Sequence, residues 1–374
     1  MIKQRYPYAL YLDSKILGTA RQLVSFFDQG VFSAENTIIY LKKYKQYHKK
    51  FAAIFAAKNI PFAFMKPKEL DVLEGQVIFY AFNAQSNCRV VANRKLKHIF
   101  ITHGESNKVS SIKPIIRIYD HVVMAGRLSL ERYYNSGLFD AHDYETGRLV
   151  MMGDTFIGKT GFDKSGQGTP ALFYAPTWEG GLESENYSSL QNPLLVESVI
   201  IQALDQLKVN DLVIQPHPNL GHRSSLYLEK LLNLLKQLTK RGIQIHLHHN
   251  HVGFSLLQKM KLRLMNMHTV TSLSKFDAKH ALIDISAMES QCINEKIPYH
   301  SFYRDAYLRQ DIPTLYLERY QAFGIELSQD QKEINIEATT HGIDHLSEAL
   351  CDYSLQNMLT IPLGQRLERL GDVK

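Results

Sequence analysis

Short runs of β-branched and aromatic residues alternate along this chain with longer stretches whose apolar positions recur at helical spacing. The runs predict strands over Tyr8–Asp13, Val77–Phe82, His98–Thr102, His121–Met124 and Leu149–Met152 in the first half. In the second half they predict strands over Ala171–Tyr174, Leu212–Gln215, Ile243–Leu247 and Ala281–Asp284. Helical spacing marks Leu194–Leu207 and Ser224–Lys240 among the intervening stretches. Such alternation predicts an α/β protein, with parallel sheets covered by helices in Rossmann-like units. The best boundary is GKTGFDKSGQGTP, residues 158–170, rich in Gly, Ser and Thr and closed by Pro170. The predicted domains are residues 1–160 and 161–374, with the final helices able to pack back on the first domain.

At 374 residues the chain suits two domains of ordinary size. Its 43 Lys and Arg against 37 Asp and Glu give a formal charge of +6. That mild excess favours an anionic ligand or surface and predicts no nucleic-acid partner. Cys88, Cys292 and Cys351 lie far apart and form no CxxC pair, which points to a reducing compartment. The N-terminal residues lack the pattern of a secretion signal, and no run approaches the ~18 apolar residues of a membrane span. The expectation is a cytoplasmic protein whose membrane contact, if any, is peripheral.

Ligands of open α/β sheets bind at the carboxyl ends of strands, so the loops after strands are the places to look for chemistry. The strand ending at Thr102 runs into His103-Gly104-Glu105-Ser106-Asn107-Lys108. Imidazole titrates near neutrality, so His103 can act as a general base. The strand Leu212–Gln215 runs into Pro216-His217-Pro218, where two prolines restrict the backbone around one imidazole. A histidine so placed can donate to a phosphate oxygen and neutralise developing charge. A third strand ends at Asp284, after which Ser286 caps a predicted helix that includes Glu289. The amides of a helix N-terminus bind phosphate. A fourth loop, Tyr174-Ala175-Pro176-Thr177-Trp178-Glu179, holds the chain's only tryptophan. Any one of these could be a polar turn, a helix cap or a packed ring. All four sit at the carboxyl ends of predicted strands and offer groups suited to phosphate.

In this order and spacing, HGxxxK, YAPTW, PHP and D-x-S resemble the CDP-glycerol:poly(glycerophosphate) glycerophosphotransferase family over residues 97 to 305. The resemblance implies two Rossmann-like domains facing a central cleft, the B-type glycosyltransferase (GT-B) architecture. The N-terminal domain would then serve the acceptor and the C-terminal domain the nucleotide donor. His103 and His217 resemble the family's two essential histidines, and Lys108 the lysine that closes the first motif. Ser286 matches the first serine of the donor-holding signature, with Asp284, Glu289, Thr177 and Trp178 beside it in the donor set. The implied reaction moves a polyol phosphate from a CDP-linked donor to a hydroxyl of a glycan or polyol-phosphate polymer, as in teichoic acid and capsule synthesis. No tightly bound cofactor and no metal site are implied. The chain departs from the pattern at Glu105-Ser106-Asn107, where the family has Thr-Pro-Leu, at Ala287 in place of a second serine, and at Gln291 in place of an acid. Transfer of a sugar from a CMP- or UDP-linked donor, and non-catalytic binding of an anionic glycan, are the alternatives.

Two further stretches invite a reading. His246 and His248 share one face of a predicted strand, yet no convincing third metal ligand lies near them in sequence, so they read as a strand end. Tyr40, Tyr44, Tyr47 and Phe51 recur at helical spacing across Asn36–Phe55, with Lys42, Lys45 and Lys49 beside them. The spacing predicts an amphipathic helix. Its aromatics enter the core, or its lysines meet a polyanionic acceptor or the inner face of a membrane.

Overall fold

The computed structural model describes residues 6–101, 105–248, 254–264, 267–330 and 332–373. The chain divides into two units. Unit 1 comprises Met1–Glu105, Ser110–Gly158 and Ala349–Lys374; unit 2 comprises Ser106–Val109 and Lys159–Glu348. The final segment of the chain thus belongs to unit 1, and Ser106–Val109, which includes the end of the first histidine motif, belongs to unit 2.

Unit 1 contains strands β1 (Tyr8–Leu12), β2 (Thr37–Lys42), β3 (Phe62–Met65), β4 (Val77–Tyr80), β5 (Lys97–Phe100), β6 (His121–Met124) and β7 (Leu149–Met151). They form a parallel sheet in the order β3-β2-β1-β4-β5-β6-β7. Between them run α1 (Leu17–Asp28), α2 (His48–Ala56), α3 (Pro67–Leu70), α4 (Cys88–Val91), α5 (Arg127–Asn135) and α6 (Ala141–Glu145). Both faces of the sheet are covered, so successive residues enter different cores. Leu10 and Leu12 of β1 join one apolar cluster, and Ala9 and Tyr11 join the other.

The helix expected over Asn36–Phe55 is not what forms. Thr37–Lys42 is strand, and only His48–Ala56 is helix. Thr37-Ile38-Ile39-Tyr40-Leu41 is β-branched and aromatic, and all five residues are buried, as a strand covered on both faces requires. The recurrence of Tyr40, Tyr44, Tyr47 and Phe51 spans a strand, a turn and a helix. Lys42, Lys45 and Lys49 therefore share no helical face. The sequence also left unread β3 and three strands of unit 2, Tyr299–Tyr303 and the two-residue edge strands His268–Thr269 and Ile325–Glu326.

The returning segment is fixed to unit 1 by backbone. Asp352 N donates to Ala125 O at 3.0 Å, Gly153 N to Asp352 O at 2.8 Å, and Ser354 N to Met151 O at 3.0 Å. Gly126 makes this approach possible, because a Cβ there would lie 2.5 Å from the Leu350 carbonyl oxygen.

Unit 2 contains β8 (Thr169–Ala175), β9 (Asp211–Ile214), β10 (Gln244–Leu247), β11 (His268–Thr269), β12 (Phe276–Asp284), β13 (Tyr299–Tyr303) and β14 (Ile325–Glu326). This sheet is also parallel, in the order β11-β10-β9-β8-β12-β13-β14. Its helices are α7 (Pro193–Leu207), α8 (Leu226–Lys240), α9 (Leu256–Leu264), α10 (Ala287–Asn294) and α11 (Thr314–Phe323); α12 (Ile343–Leu350) and α13 (Arg366–Gly371) close the chain. The strand order reverses between β8 and β12, which are hydrogen-bonded neighbours. Two seven-stranded parallel sheets with helices give an α/β fold of two Rossmann-like units. Among the described residues no helix is long and apolar enough to cross a membrane.

The loop after β5 is anchored in unit 1 by a buried ion pair. Glu105 Oε2 lies 3.0 Å from Arg132 Nη1, both side chains being at most 3% exposed, and Glu105 Oε1 accepts from Ala125 N at 2.9 Å. Removing one member of a buried pair strands the other, at a cost of about 3–5 kcal/mol. Arg132→Met should therefore lower unfolding free energy by about that amount in denaturant titrations. The double variant Arg132→Met/Glu105→Gln should recover part of the loss.

Candidate functional site

The reversal of strand order in unit 2 places two loops side by side. Thr177 follows β8 by two residues, and Asp284 is the last residue of β12. Thr177 N donates to Asp284 Oδ2 at 2.6 Å, tying the two strand ends together. Asp284 is fully buried. Burial pushes its carboxyl up to about 7, while the Thr177 amide and the Lys108 ammonium act in the opposite direction. Lys108 Nζ donates to Thr177 Oγ1 at 2.8 Å and lies 5.4 Å from the centroid of the Tyr187 ring. Its dry surroundings lower the ammonium to about 8, against the pull of Asp284 and Glu185. Lys108, Thr177 and Asp284, three of the residues read from sequence, form one connected group.

Lys108 is held there by its neighbours. Asn107 is fully buried, and its Nδ2 donates to Tyr320 OH at 2.8 Å. Tyr320 OH donates in turn to Glu289 Oε2 at 2.7 Å, and Ser301 Oγ donates to Glu289 Oε1 at 2.9 Å. Arg309 Nη2 donates to the Asn107 carbonyl at 3.0 Å, and Val109 N donates to Tyr187 OH at 3.2 Å. Glu289 is 1% exposed, and burial raises its carboxyl to about 6. Each of its oxygens already accepts from a protein hydroxyl, so it positions the 106–109 segment and does not present a carboxylate to a ligand. Ser286 caps α10, its Oγ accepting from Met288 N at 3.3 Å. The first turn of α10 thus opens two residues beyond Asp284, with the positive end of its dipole at the same edge.

His217 sits beside this group. Its backbone N donates to the Pro176 carbonyl at 3.0 Å, joining the PHP loop to the loop after β8. Its ring stacks on Trp178, with centroids 5.9 Å apart and planes 18° from parallel. Asn219 N donates to His217 Nδ1 at 3.1 Å. An acceptor at Nδ1 puts the proton of the neutral ring on Nε2, which then can donate to a phosphate oxygen. Glu179, 1% exposed, fixes the rest of the loop by accepting from Gly221 N at 3.0 Å, Arg223 N at 2.8 Å and Ser224 N at 2.9 Å. Next to it, Gly180 takes φ +72, and a Cβ there would lie 2.4 Å from the Glu185 carbonyl oxygen.

Sequence reasoning singled out Trp178 and passed over Glu179, Asn107, Tyr187, Arg309 and Tyr320. The signal for Glu179 was its place between the tryptophan and two glycines. The other four are ordinary polar and aromatic residues whose convergence only the fold reveals. His103 lies outside the described residues. Lys42, Lys45 and Lys49 belong to unit 1, and Lys42 Nζ donates to Asp13 Oδ2 at 3.0 Å. His246 Nε2 lies 2.6 Å from Asp211 Oδ1, and its ring stacks on His268. Among the described residues no group of three or more His, Cys, Asp or Glu is arranged to hold a metal ion.

No family model matches this chain, and no curated protein matches it in sequence. Solved structures do resemble it. A candidate UDP-N-acetylglucosamine 2-epimerase from Listeria monocytogenes is 11% identical, with 98% of this chain and 97% of that one covered at a TM-score of 0.51. HepE from Anabaena, solved with UDP and glucose, is 9% identical over 98% of this chain and 100% of its own, at a TM-score of 0.48. The wall teichoic acid polymerase TagF is 9% identical over 98% and 87%, at a TM-score of 0.42. At 11% identity the likeness to the Listeria protein is one of fold, and that fold is the GT-B architecture.

Proposed function

We propose that this chain is a GT-B transferase that takes a polyol phosphate, glycerol phosphate in the simplest case, from a CDP-linked donor and attaches it to a hydroxyl of a glycan or polyol-phosphate polymer. The observation that carries the reading is the connected group at the β8–β12 reversal. Lys108, Thr177 and Asp284 meet there, beside the first turn of α10 and the Nε2 of His217. A pyrophosphate suits such a place, since an ammonium, an imidazole N–H and helix amides all favour its negative charge.

In the proposed reaction the acceptor oxygen attacks the phosphorus nearest the polyol as the bond from that phosphorus to the bridging oxygen breaks. CMP leaves with the bridging oxygen. The hydroxyl proton passes to a base, for which the sequence offers His103. His217, Lys108 and the α10 amides take up the charge that develops on the departing phosphate. The PHP histidine and Ser286 would equally hold the phosphate of a CMP- or UDP-linked sugar, which is the second reading.

Purified protein incubated with CDP-glycerol and an acceptor should release CMP, and His217→Ala should lower that rate by at least about a hundredfold with the fold intact. Release of nucleotide from a CMP- or UDP-sugar in its place selects the sugar reading, and turnover of no donor sinks both. The lowered ammonium of Lys108 adds a pH signature. The group loses its charge as pH rises through about 8, so donor affinity measured by calorimetry should fall over that range. Lys108→Met should weaken donor binding about tenfold or more at pH 7 and abolish the alkaline fall.

A further inference from the structure

The positive charge of this chain is unevenly placed. The first hundred residues hold 16 of the 43 Lys and Arg but 6 of the 37 acids, and the remainder hold 27 against 31. Unit 1 gathers much of that excess at one edge. The order β3-β2-β1 sets the loops at the carboxyl ends of three parallel strands side by side. After β2, Lys43 and Lys45 are exposed in the turn, and Lys49 and Lys50 are exposed on the first turns of α2. After β3, Lys66 and Lys68 are exposed.

Side-chain contacts show that the loops adjoin. Tyr44 OH donates to Asp13 Oδ1, beyond β1, at 2.5 Å, and Lys15 Nζ lies 5.1 Å from the Tyr44 ring centroid. His48 packs edge-on to Phe64 of β3, with centroids 6.0 Å apart. The acids within these loops are already engaged. Asp13 binds Lys42 and Tyr44, Asp71 pairs with Arg89 and Glu74 with Lys95, and Glu69 accepts from Lys66 N at 2.6 Å. From Lys43 to Pro61 the segment between β2 and β3 carries no acid at all, so its lysines form a band that nothing within the segment offsets.

We infer that this band docks unit 1 on an anionic membrane surface. Every cation in the band is lysine. A hydrated point charge on a flexible stem suits the diffuse field of a lipid surface, whereas arginine is favoured where a defined phosphate is gripped in two-point fashion. Half-buried Tyr44 and Tyr47 lie among the lysines, and tyrosine is a residue of the lipid–water interface. Val72, 56% exposed, follows α3 nearby in sequence. The inference goes beyond the proposed reaction and does not rest on it.

The test is co-sedimentation of the full chain with vesicles of phosphatidylcholine alone and of phosphatidylcholine mixed equally with phosphatidylglycerol. Binding should appear with the anionic vesicles only and should decline as salt is raised. Each lysine near such a surface contributes roughly fivefold in affinity. Replacing Lys43, Lys45, Lys49 and Lys66 by Gln should therefore weaken binding by about a hundredfold or more. Gln at Lys159, Lys236, Lys240 and Lys275, exposed in unit 2, should change it little. The inference is overturned if the parent protein ignores anionic vesicles at low salt, or if the two variants lose binding equally. It is also overturned if the protein takes up soluble polyphosphate but leaves the vesicles alone, which would make the band a track for a polyanion. Donor turnover plays no part in these measurements, so either idea can fail without the other.

Discussion

The carboxyl group of Asp284 is fully buried where the strand order of unit 2 reverses, and its Oδ2 accepts there from the amide of Thr177 in the neighbouring strand's loop. A buried carboxylate without partners would cost several kcal/mol, so the two strand ends are held in register by the need to pair it. The constraint passes outward from that bond. With the Thr177 backbone fixed, its hydroxyl is placed to receive Lys108, and Trp178 is placed to stack on His217. Reversal points are where open α/β sheets leave room for a ligand. Here the reversal is bordered by a cation, an imidazole and a helix N-terminus.

The same physical device recurs around the site. Glu179 gathers three backbone amides of the loop beyond the PHP motif, and Glu289 gathers two hydroxyls, one of which holds Asn107. In unit 1 Glu105 joins the amide of Ala125 to Arg132. Each is an acid kept from water and satisfied by donors from sequence-distant segments. Such groups add little net stability once desolvation is counted, but they favour one loop arrangement over its neighbours. Loops fixed in this way would keep the groups of the proposed site in place before a ligand arrives, which is what the proposed electrostatic stabilisation requires.

The central strands were legible because burial on both faces demands continuous β-branched and aromatic runs, and β1, β4, β6 and β9 carry them. The edge strands β11 and β14 are two residues long and leave no periodic signal. Thr37–Lys42 was misread because aromatic spacing outweighed the β-branched run in which it began. At the site, motif residues standing after strands were readable: Lys108, Thr177, Trp178, His217, Asp284 and Ser286. Glu289 was read as one of the donor residues, and only the positions of Tyr320 and Ser301 show that both its oxygens are occupied by protein hydroxyls. The departure at Asn107 has a structural explanation in the same contacts, since its side chain and carbonyl both hold the segment that carries Lys108.

The place where a nucleoside diphosphate binds tests the proposed site most directly. Crystals of the full chain soaked with CDP would show it. The pyrophosphate should lie at the β8–β12 reversal, with its oxygens within hydrogen-bonding reach of Lys108 Nζ, His217 Nε2 and the amides of the first turn of α10. A diphosphate bound elsewhere on unit 2, or a folded protein that takes up no CDP in the crystal or by calorimetry, would contradict it.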